Sequence, residues 1–327
     1  MKKYFLNRKI FIIYKTFIFL FFLIFLDFVS GNILKFLYFK QNSGWLYRTT
    51  YALENTQANL LVFGASRANH HYCTNMLQDE LNISTYNTGR DGNAIFYHYA
   101  VLKSILKRYT PKIAILDFSH GEFKLNQDSY DRISSLLPYY ETHPEIRSII
   151  QLKSKYETLK LFSKIYPYNS LLFQITAGNL KSNRARINRN DINGYVPLSQ
   201  VWKGKLVHEK KYNNYKIDPH KVHYFKLFIE DCIHSGVKLY IILSPSFVHF
   251  EGSDTSVTIA KELAYLNHIQ FIDFSKDKEF LTQPTIYADE SHLNDVGAKL
   301  YTEKVIKKLQ PELAAILYTK NSFSSLK

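Results

Sequence analysis

The stretch Leu60-Leu61-Val62-Phe63-Gly64-Ala65-Ser66-Arg67 decides the fold class of this chain. A short apolar run ended by a glycine is typical of a strand that is buried on both faces in a parallel sheet. A helical pattern follows, so we expect Ser66 at the carboxyl end of the strand and the amino end of a helix. Backbone N–H groups at that place can stabilise a developing negative charge, although a helix N-cap would also explain the serine.

Strands and helices alternate on both sides of the middle of the chain. Apolar strands are predicted at residues 60–63, 84–87, 112–118, 237–243 and 269–274. Amphipathic helices are predicted at residues 68–80, 93–109, 220–234, 257–267 and 295–309. This alternation predicts an α/β fold, a three-layer α/β/α sandwich around a five-stranded parallel sheet with right-handed crossovers.

Residues 122–218 do not follow the alternation and are predicted to form a mostly helical insertion. We expect the insertion to cover the carboxyl edge of the sheet, where open α/β folds bind ligands. The predicted division is a cytoplasmic tail (1–9), a transmembrane anchor (10–30), a connector (31–57), the α/β domain (58–312) and a C-terminal tail (313–327).

Basic residues are concentrated in one part of the chain. The formal net charge is +14, and half of it lies between Lys181 and Lys221, where ten basic residues accompany three acidic ones. Two explanations stay open for this basic stretch: a solvated surface, or attraction to an anionic polymer or to lipid headgroups. Nucleic acid is disfavoured as a partner because no nucleic-acid-binding motif is present.

The N-terminus carries a long apolar run behind a basic tail. Only Lys15 and Thr16 interrupt residues 10–26, and the span 10–29 is long enough to cross a hydrocarbon core of about 30 Å. The positive-inside rule places the tail in the cytoplasm and everything after residue 40 outside. A cleaved signal peptide is the alternative, because Val29-Ser30-Gly31 offers small residues. The apolar run continues past that point and favours an uncleaved anchor.

Cysteine and histidine give no sign of a disulfide framework or a metal centre. Cys73 and Cys232 are far apart in the sequence, and two separate buried thiols are expected. His70 and His71, together with a third histidine and a carboxylate, could suggest zinc. However, neighbouring residues on a helix point in different directions, and no HExxH-type spacing is present. The sequence therefore predicts no metal and no cofactor.

Two further motifs carry residues suited to chemistry. Asn87, Gly89 and Gly92 follow the second strand, where glycines at this spacing let a backbone amide approach a substrate; an ordinary β-to-α turn is the alternative. Asp289 and His292 precede the last helix. A carboxylate three residues before an imidazole can fix the tautomer and orientation that a general base requires.

Taken in order, these motifs resemble the SGNH (GDSL-type) hydrolase superfamily, over residues 58–120 and 220–310. The resemblance implies that Ser66 is the nucleophile, that His292 is the base and that Asp289 orients the base. It also implies an oxyanion hole made by the N–H groups of Ser66 and Gly92. The other residues expected to bind substrate are Arg67, Asn87, Gly89 and Asn93.

The third block departs from the family pattern G-x-N-D, because the corresponding strand end reads Asp117-Phe118-Ser119-His120-Gly121-Glu122. The asparagine that would donate to the oxyanion is missing, and the loss of one such donor typically costs about a hundredfold in rate. Two classes of function therefore stay open. One is a serine hydrolase or acyltransferase, and the other is a non-catalytic glycan-binding or assembly protein that keeps the fold.

The anchor, the outward domain and the insertion together also resemble membrane-anchored proteins of bacterial surface-polysaccharide loci. The resemblance implies an esterase or O-acyltransferase that acts on acyl groups, acetyl above all, of a cell-surface glycan. The implied location is the bacterial cytoplasmic membrane, with a single pass and the C-terminal domain outside. The implied partners are the acylated glycan, the membrane and a membrane protein that donates acyl groups.

Overall fold

Five parallel strands form the central sheet in the computed structural model of the chain, which describes residues 2–180, 191–204, 207–211 and 214–318. The described residues contain seven strands in all: β1 (Leu60–Phe63), β2 (Thr85–Asn87), β3 (Ile113–Phe118), β4 (Val207–Lys211), β5 (Lys238–Leu243), β6 (Val248–Glu251) and β7 (Gln270–Asp273). The central sheet has the order β2-β1-β3-β5-β7, and β4 pairs with β6 in a separate parallel ribbon. The predicted α/β fold with a five-stranded parallel sheet is confirmed.

Helices connect and cover these strands. The α-helices of the described residues are α1 (Lys2–Phe39), α2 (Gly44–Thr50), α3 (Ser66–His71), α4 (Thr74–Leu81), α5 (Ile95–Leu106), α6 (Gln127–Asp131), α7 (Arg147–Gln151), α8 (Glu157–Lys160), α9 (Leu172–Asn179), α10 (Pro219–His234), α11 (Thr255–Leu266), α12 (Lys278–Leu281) and α13 (Asp295–Tyr318). A π-helical turn covers Tyr51–Asn55, and 3-10 turns cover Arg132–Tyr139, Pro144–Ile146, Tyr166–Leu171 and Pro284–Ile286.

The first strand contributes to two apolar layers, because successive side chains of a strand point to opposite faces of the sheet. Leu61 and Phe63 pack on one face with α5, α10 and α11. Leu60 and Val62 pack on the other face with α3, α4 and α13. Because helices cover both faces, β1 is apolar and buried at every position, and the predicted three-layer sandwich is confirmed.

The two cysteines lie on opposite sides of the sheet. Cys73 belongs to the apolar layer formed with α4 and α13, and Cys232 belongs to the layer formed with α5 and α10. Both thiols are free and buried. The sheet separates them, so they cannot form a disulfide, and the prediction of two separate thiols is confirmed.

Several element boundaries differ from the sequence-based expectations. The helix expected at residues 68–80 is divided into α3 and α4, because Tyr72 and Cys73 take extended conformations and are fully buried. Helix α13 continues to Tyr318, into the expected C-terminal tail, and helices occupy much of the expected connector. The β4–β6 pair was not expected. Part of the basic stretch lies outside the described residues, namely Lys181, Arg184, Arg186, Arg189 and Lys205.

Helix α1 has two parts with different surroundings. Its first part exposes large apolar side chains, and the segment Lys9–Phe39 is long and apolar enough to cross a membrane. From Asp27 onward the helix packs on the insertion: the Asp27 carboxylate accepts hydrogen bonds from the Ser163 hydroxyl at 2.5 Å and the Lys164 N–H at 2.7 Å. Residues 9–26, the part of this segment before Asp27, measure about 27 Å at 1.5 Å per residue, close to the thickness of a hydrocarbon core.

Gly64 makes the turn that carries the chain from β1 to the serine. Its φ is 144°, a conformation that residues with a side chain rarely adopt. A Cβ atom at this position would lie 2.7 Å from the Ala68 Cβ and 2.9 Å from the Asp117 carbonyl oxygen. The turn therefore requires glycine both for its backbone conformation and for the close approach of α3 to β3.

We expect Gly64→Ala to reduce the free energy of unfolding by about 3 kcal/mol, because backbone strain and overlap with a carbonyl oxygen add together. Gly236→Ala is the matched control: its φ is 71°, but no atom of the described residues lies within 4 Å of an added Cβ. Strain alone should cost the control about 1 kcal/mol. The measurement is urea unfolding of the detergent-solubilised full chain, and equal losses would contradict a packing role for Gly64.

Candidate active site

The fold brings Ser66, at the start of α3, into contact with the loop that precedes α13. His292 Nε2 lies 2.7 Å from Ser66 Oγ. On the other side of the ring, His292 Nδ1 lies 2.9 Å from each carboxylate oxygen of Asp289. A hydroxyl, an imidazole and a carboxylate in this order can transfer the hydroxyl proton to Nε2 while the carboxylate keeps the Nδ1 proton in place.

Asp289 also shapes the loop that holds the imidazole. Its Oδ1 accepts the backbone N–H groups of Ser291 at 2.8 Å and His292 at 2.9 Å. Burial by itself raises the pKa of Asp289, but the hydrogen bonds from His292 and the Ser291 N–H outweigh it, and the pKa falls below its ordinary value. The carboxylate is therefore ionised at neutral pH and can stabilise a positive charge on the ring.

His71 holds the same loop through a hydrogen bond to its backbone. Its side chain is fully buried, and its Nε2 accepts the Leu293 N–H at 3.0 Å, which requires the tautomer with its proton on Nδ1. Burial, together with the charges of His292 and Arg67, holds the pKa of His71 well below its ordinary value. His71 is thus a neutral acceptor. No sequence motif marks this role, because Leu293 lies 222 residues further along the chain.

Two backbone donors at the site are free to meet a negative oxygen. Neither the Ser66 N–H nor the Gly92 N–H has an acceptor among the residues that the structure describes. Gly92 has a φ of 70°, so a side chain at this position would be strained. These are the two groups that the sequence-based analysis assigned to an oxyanion hole.

The polar groups of Asn87 and Gly89 are occupied within the protein. Asn87 Nδ2 donates to the Ala68 carbonyl at 2.7 Å, and Asn87 Oδ1 accepts the Gly89 N–H at 2.9 Å. Through these bonds Asn87 fastens the turn after β2 to helix α3. Asn93 differs: its Nδ2 donates to the Asp91 carbonyl at 3.2 Å, but its buried Oδ1 has no hydrogen-bond partner in the described part of the chain.

Arg67 turns away from the serine into the protein. Its Nη2 donates to the Phe118 carbonyl at 3.1 Å, and its Nε lies 3.8 Å from a carboxylate oxygen of Asp117. Both side chains are nearly inaccessible, and the hydroxyl of Tyr72 donates to the other Asp117 oxygen at 2.7 Å. Burial raises the pKa of Asp117, and Arg67 opposes that rise. The strand end that lacks the expected asparagine thus carries a buried ion pair.

A polar network beside the site joins residues that the sequence did not single out as a group. Asn69 Nδ2 donates to Asp91 Oδ1 at 2.7 Å, and Arg48 donates to Asn69 Oδ1 at 2.7 Å. His70 Nε2 lies 3.4 Å from the same Asp91 oxygen, and its ring centre lies 5.8 Å from that of His292. Burial opposes ionisation of Asp91, but the contacts with His70, Asn69 and Arg48 lower its pKa to about 2.

Two cavities adjoin this network. The larger one, of about 700 Å³, lies between α2 and α9 and is bounded by Trp45, Phe173 and His70. The smaller one, of about 190 Å³, lies between the turn of residues 87–93 and the insertion. Both cavities therefore lie on the side of the polar network that α2 and the insertion cover.

No known protein family matches the sequence, and no curated protein does either. Among solved structures the chain is similar to an acetyl xylan esterase, AlAXEase, with 13% sequence identity and a TM-score of 0.38. The similarity covers 76% of this chain and 99% of that one. A similarity at this level carries no argument about activity, so the site must be judged on its own residues.

Arg67→Met provides a test of whether Arg67 has a structural or a substrate-binding role. We expect a loss of about 3–5 kcal/mol in the free energy of unfolding, because the variant leaves the buried Asp117 without its counter-charge. The double variant Arg67→Met/Asp117→Asn should recover part of that loss. Lys307→Met, which breaks an exposed ion pair with Glu303, is the control and should cost under about 1 kcal/mol. Unchanged stability of Arg67→Met in urea unfolding would favour substrate binding instead.

Proposed function

We propose that this protein is a membrane-anchored serine esterase or O-acyltransferase of the SGNH type. It acts outside the cytoplasmic membrane on acyl groups, most simply acetyl groups, of a cell-surface glycan. One observation carries the proposal: the unbroken chain of hydrogen bonds from Ser66 Oγ to His292 Nε2 at 2.7 Å and from His292 Nδ1 to Asp289 at 2.9 Å. That chain is the arrangement that activates a serine hydroxyl for attack on an ester.

In the proposed mechanism, Ser66 Oγ attacks the acyl carbonyl carbon as His292 Nε2 takes the hydroxyl proton. The negative oxygen of the tetrahedral intermediate accepts hydrogen bonds from the Ser66 and Gly92 N–H groups. His292 then returns the proton to the leaving group, which is the sugar oxygen in the esterase and the acyl donor in the transferase, and an acyl-serine remains. Water or a sugar hydroxyl attacks this ester as His292 Nε2 takes its proton. The bond to Ser66 Oγ then breaks, His292 returns the proton to that oxygen, and the products are a free acid or a new glycan ester.

The missing asparagine of the third block limits the proposed rate. The site has two backbone donors and lacks the asparagine side chain as a third donor. We therefore expect turnover about a hundredfold below that of a site with all three donors. The alternative function, a glycan-binding or assembly protein without catalysis, rests on the same feature. The free N–H groups and the paired His292 favour catalysis, since a binding protein needs neither.

The proposed place of action follows from α1. About 27 Å of exposed apolar helix precedes Asp27, and the basic residues before it favour a cytoplasmic N-terminus under the positive-inside rule. The rest of the chain then lies outside the cytoplasm, next to the surface glycan. A membrane protein that hands over acyl groups is the partner that the transferase form requires.

We expect Ser66→Ala and His292→Ala each to lower kcat for an aryl acetate by about ten-thousandfold, because members of such a triad act as a unit. Asp289→Asn should lose less. Wild-type protein should form a covalent adduct with a serine-directed phosphonate, detected by mass spectrometry, and Ser66→Ala should not. Ser235→Ala, at the end of α10, is the control and should keep both properties.

Two results would contradict catalysis through this serine. One is a phosphonate adduct on Ser66→Ala protein. The other is full restoration of the surface-glycan phenotype of a deletion strain by Ser66→Ala, which would favour the glycan-binding alternative.

The proposed topology is tested by reporter fusions at the C-terminus. Alkaline phosphatase, which folds only outside the cytoplasm, should be active, and a fluorescent protein that folds only in the cytoplasm should be dark. The reverse pattern would place the site in the cytoplasm and rule out a surface glycan as substrate.

A further inference from the structure

The smaller cavity, of about 190 Å³, has an unusual lining of unsatisfied polar atoms. Asn93 Oδ1, Ser135 Oγ and Gln174 Oε1 are all buried and have no hydrogen-bond partner among the described residues, and all three residues line this cavity. The side chains of Asn93 and Ser135 are more than nine-tenths buried. Leaving a buried polar atom unpaired costs about 1–3 kcal/mol, so a polar ligand in the cavity would recover that cost if these side chains turned their oxygens toward it.

The orientation of Asn93 indicates what this ligand must supply. Its Nδ2 donates to the Asp91 carbonyl, so its Oδ1 faces away from that bond as a pure acceptor. An acceptor requires a donor on the ligand. A hydroxyl-bearing molecule meets this need, whereas a fully ionised phosphate, which has only acceptors, does not.

Three arginines line the same cavity: Arg48, Arg90 and Arg132. Arg48 lies 3.6 Å from Asp191, and Arg132 lies 2.7 Å from Asp128, whose carboxylate is largely exposed. Arg90 forms no ion pair with the described residues and instead donates to the Thr49 hydroxyl and the Trp45 carbonyl.

One carboxylate also lines the cavity, that of Asp91, and it is held by Asn69 and His70. Planar guanidinium groups are suited to a ligand carboxylate, which they can bind through two parallel hydrogen bonds.

The cavity is lined by the turn of residues 87–93, which is hydrogen-bonded to helix α3, the helix that begins with Ser66. Arg132 packs so closely on Gly92 that a Cβ atom there would overlap its guanidinium, and Gly92 contributes one of the free N–H groups of the site. The Arg90 N–H donates to the carbonyl of Gly64, two residues before the serine, at 3.0 Å. The volume is about six times that of a water molecule in the liquid, which suits one sugar ring.

We propose that this cavity is a subsite for an acidic sugar of the uronic-acid type, with its carboxylate on the arginines and its hydroxyls on Asn93, Ser135 and Gln174. The role as a substrate subsite rests on the proposed esterase or acyltransferase function, but the binding itself does not. The sugar that carries the ester then lies beside an acidic sugar of the same glycan. The positive charge that selects an anionic glycan is thus found in this cavity.

The test measures binding of methyl β-D-glucuronide to the full-length Ser66→Ala protein in detergent, by saturation-transfer NMR and calorimetry. Methyl β-D-glucoside and inorganic phosphate are the comparison probes. We expect the glucuronide to bind at least about tenfold more tightly than either probe, since one lacks the carboxylate and the other lacks the hydroxyls. Equal binding of phosphate would reduce the cavity to a simple anion site, and equal binding of the glucoside, or no binding, would also overturn the proposal.

Two variants connect the binding to this cavity. Arg132→Gln should weaken glucuronide binding about tenfold, and Lys307→Gln, which removes the same charge from a similar i,i+4 pair on α13, should leave it unchanged. Ser135→Ala removes a hydroxyl that has no hydrogen-bond partner among the described residues, so folding should be retained while glucuronide binding weakens severalfold. Unchanged binding in a folded Arg132→Gln or Ser135→Ala protein would place the ligand elsewhere.

The outcome is separable from that of the proposed function. Glucuronide binding without turnover of an aryl acetate by the wild-type protein would support the sugar subsite and contradict the proposed enzymatic function. Turnover without glucuronide binding would support the enzymatic function and contradict the subsite.

Discussion

The hydrogen bond between Ser66 and His292 depends on two distant parts of the chain, 226 residues apart, meeting within 2.7 Å. Ser66 is fixed by the glycine turn after β1, and His292 by a loop just before α13. The two meet because α3 and α13 cover the same face of the sheet. Any change that moves α13 along that face would separate the hydroxyl from the imidazole, since a displacement of about 1 Å is enough to impair such a contact.

The docking of α13 explains why the helix after Ser66 is interrupted. At the break between α3 and α4, the Cys73 N–H donates to the Thr302 hydroxyl at 2.9 Å, and that hydroxyl also lies 3.1 Å from the His71 carbonyl oxygen. The hydroxyls of Tyr72 and Tyr301 lie 3.0 Å apart in the same place. A continuous helix would have used these backbone groups internally. Their release from helical bonding lets α13 attach at the level of the site.

The buried Arg67–Asp117 ion pair changes the protonation of a histidine close to the site. A buried ion pair recovers little net stability, because removing both charges from water is costly. Its effect is on neighbours: the positive charge of Arg67 helps to keep His71 neutral, and a neutral His71 is what can accept the Leu293 N–H. The pair thus contributes to the position of the loop that carries His292, although Arg67 touches neither the hydroxyl nor the imidazole through any hydrogen bond in the described structure.

The insertion contacts helix α1 and also lines the smaller cavity. The later part of α1 packs on it at Asp27 and Tyr38, and the hydroxyl of Tyr38 lies 3.0 Å from that of Tyr139. The same 3-10 turn that ends at Tyr139 begins with Arg132 and includes Ser135, which line the smaller cavity. One short segment therefore faces α1 at one end and the smaller cavity at the other.

The sequence by itself determined the strands, the layered architecture and the local geometry of Asp289 and His292, because these follow from short-range rules. An apolar run such as residues 60–63 specifies a strand buried on both faces, and an Asp three residues before a His can reach it within one turn of chain. Only the tertiary structure decided the break at Tyr72, the role of His71, the inward turn of Arg67 and the pairing of β4 with β6. Each of these depends on a partner far away in the sequence, and burial against that partner outweighs the preference of the local segment.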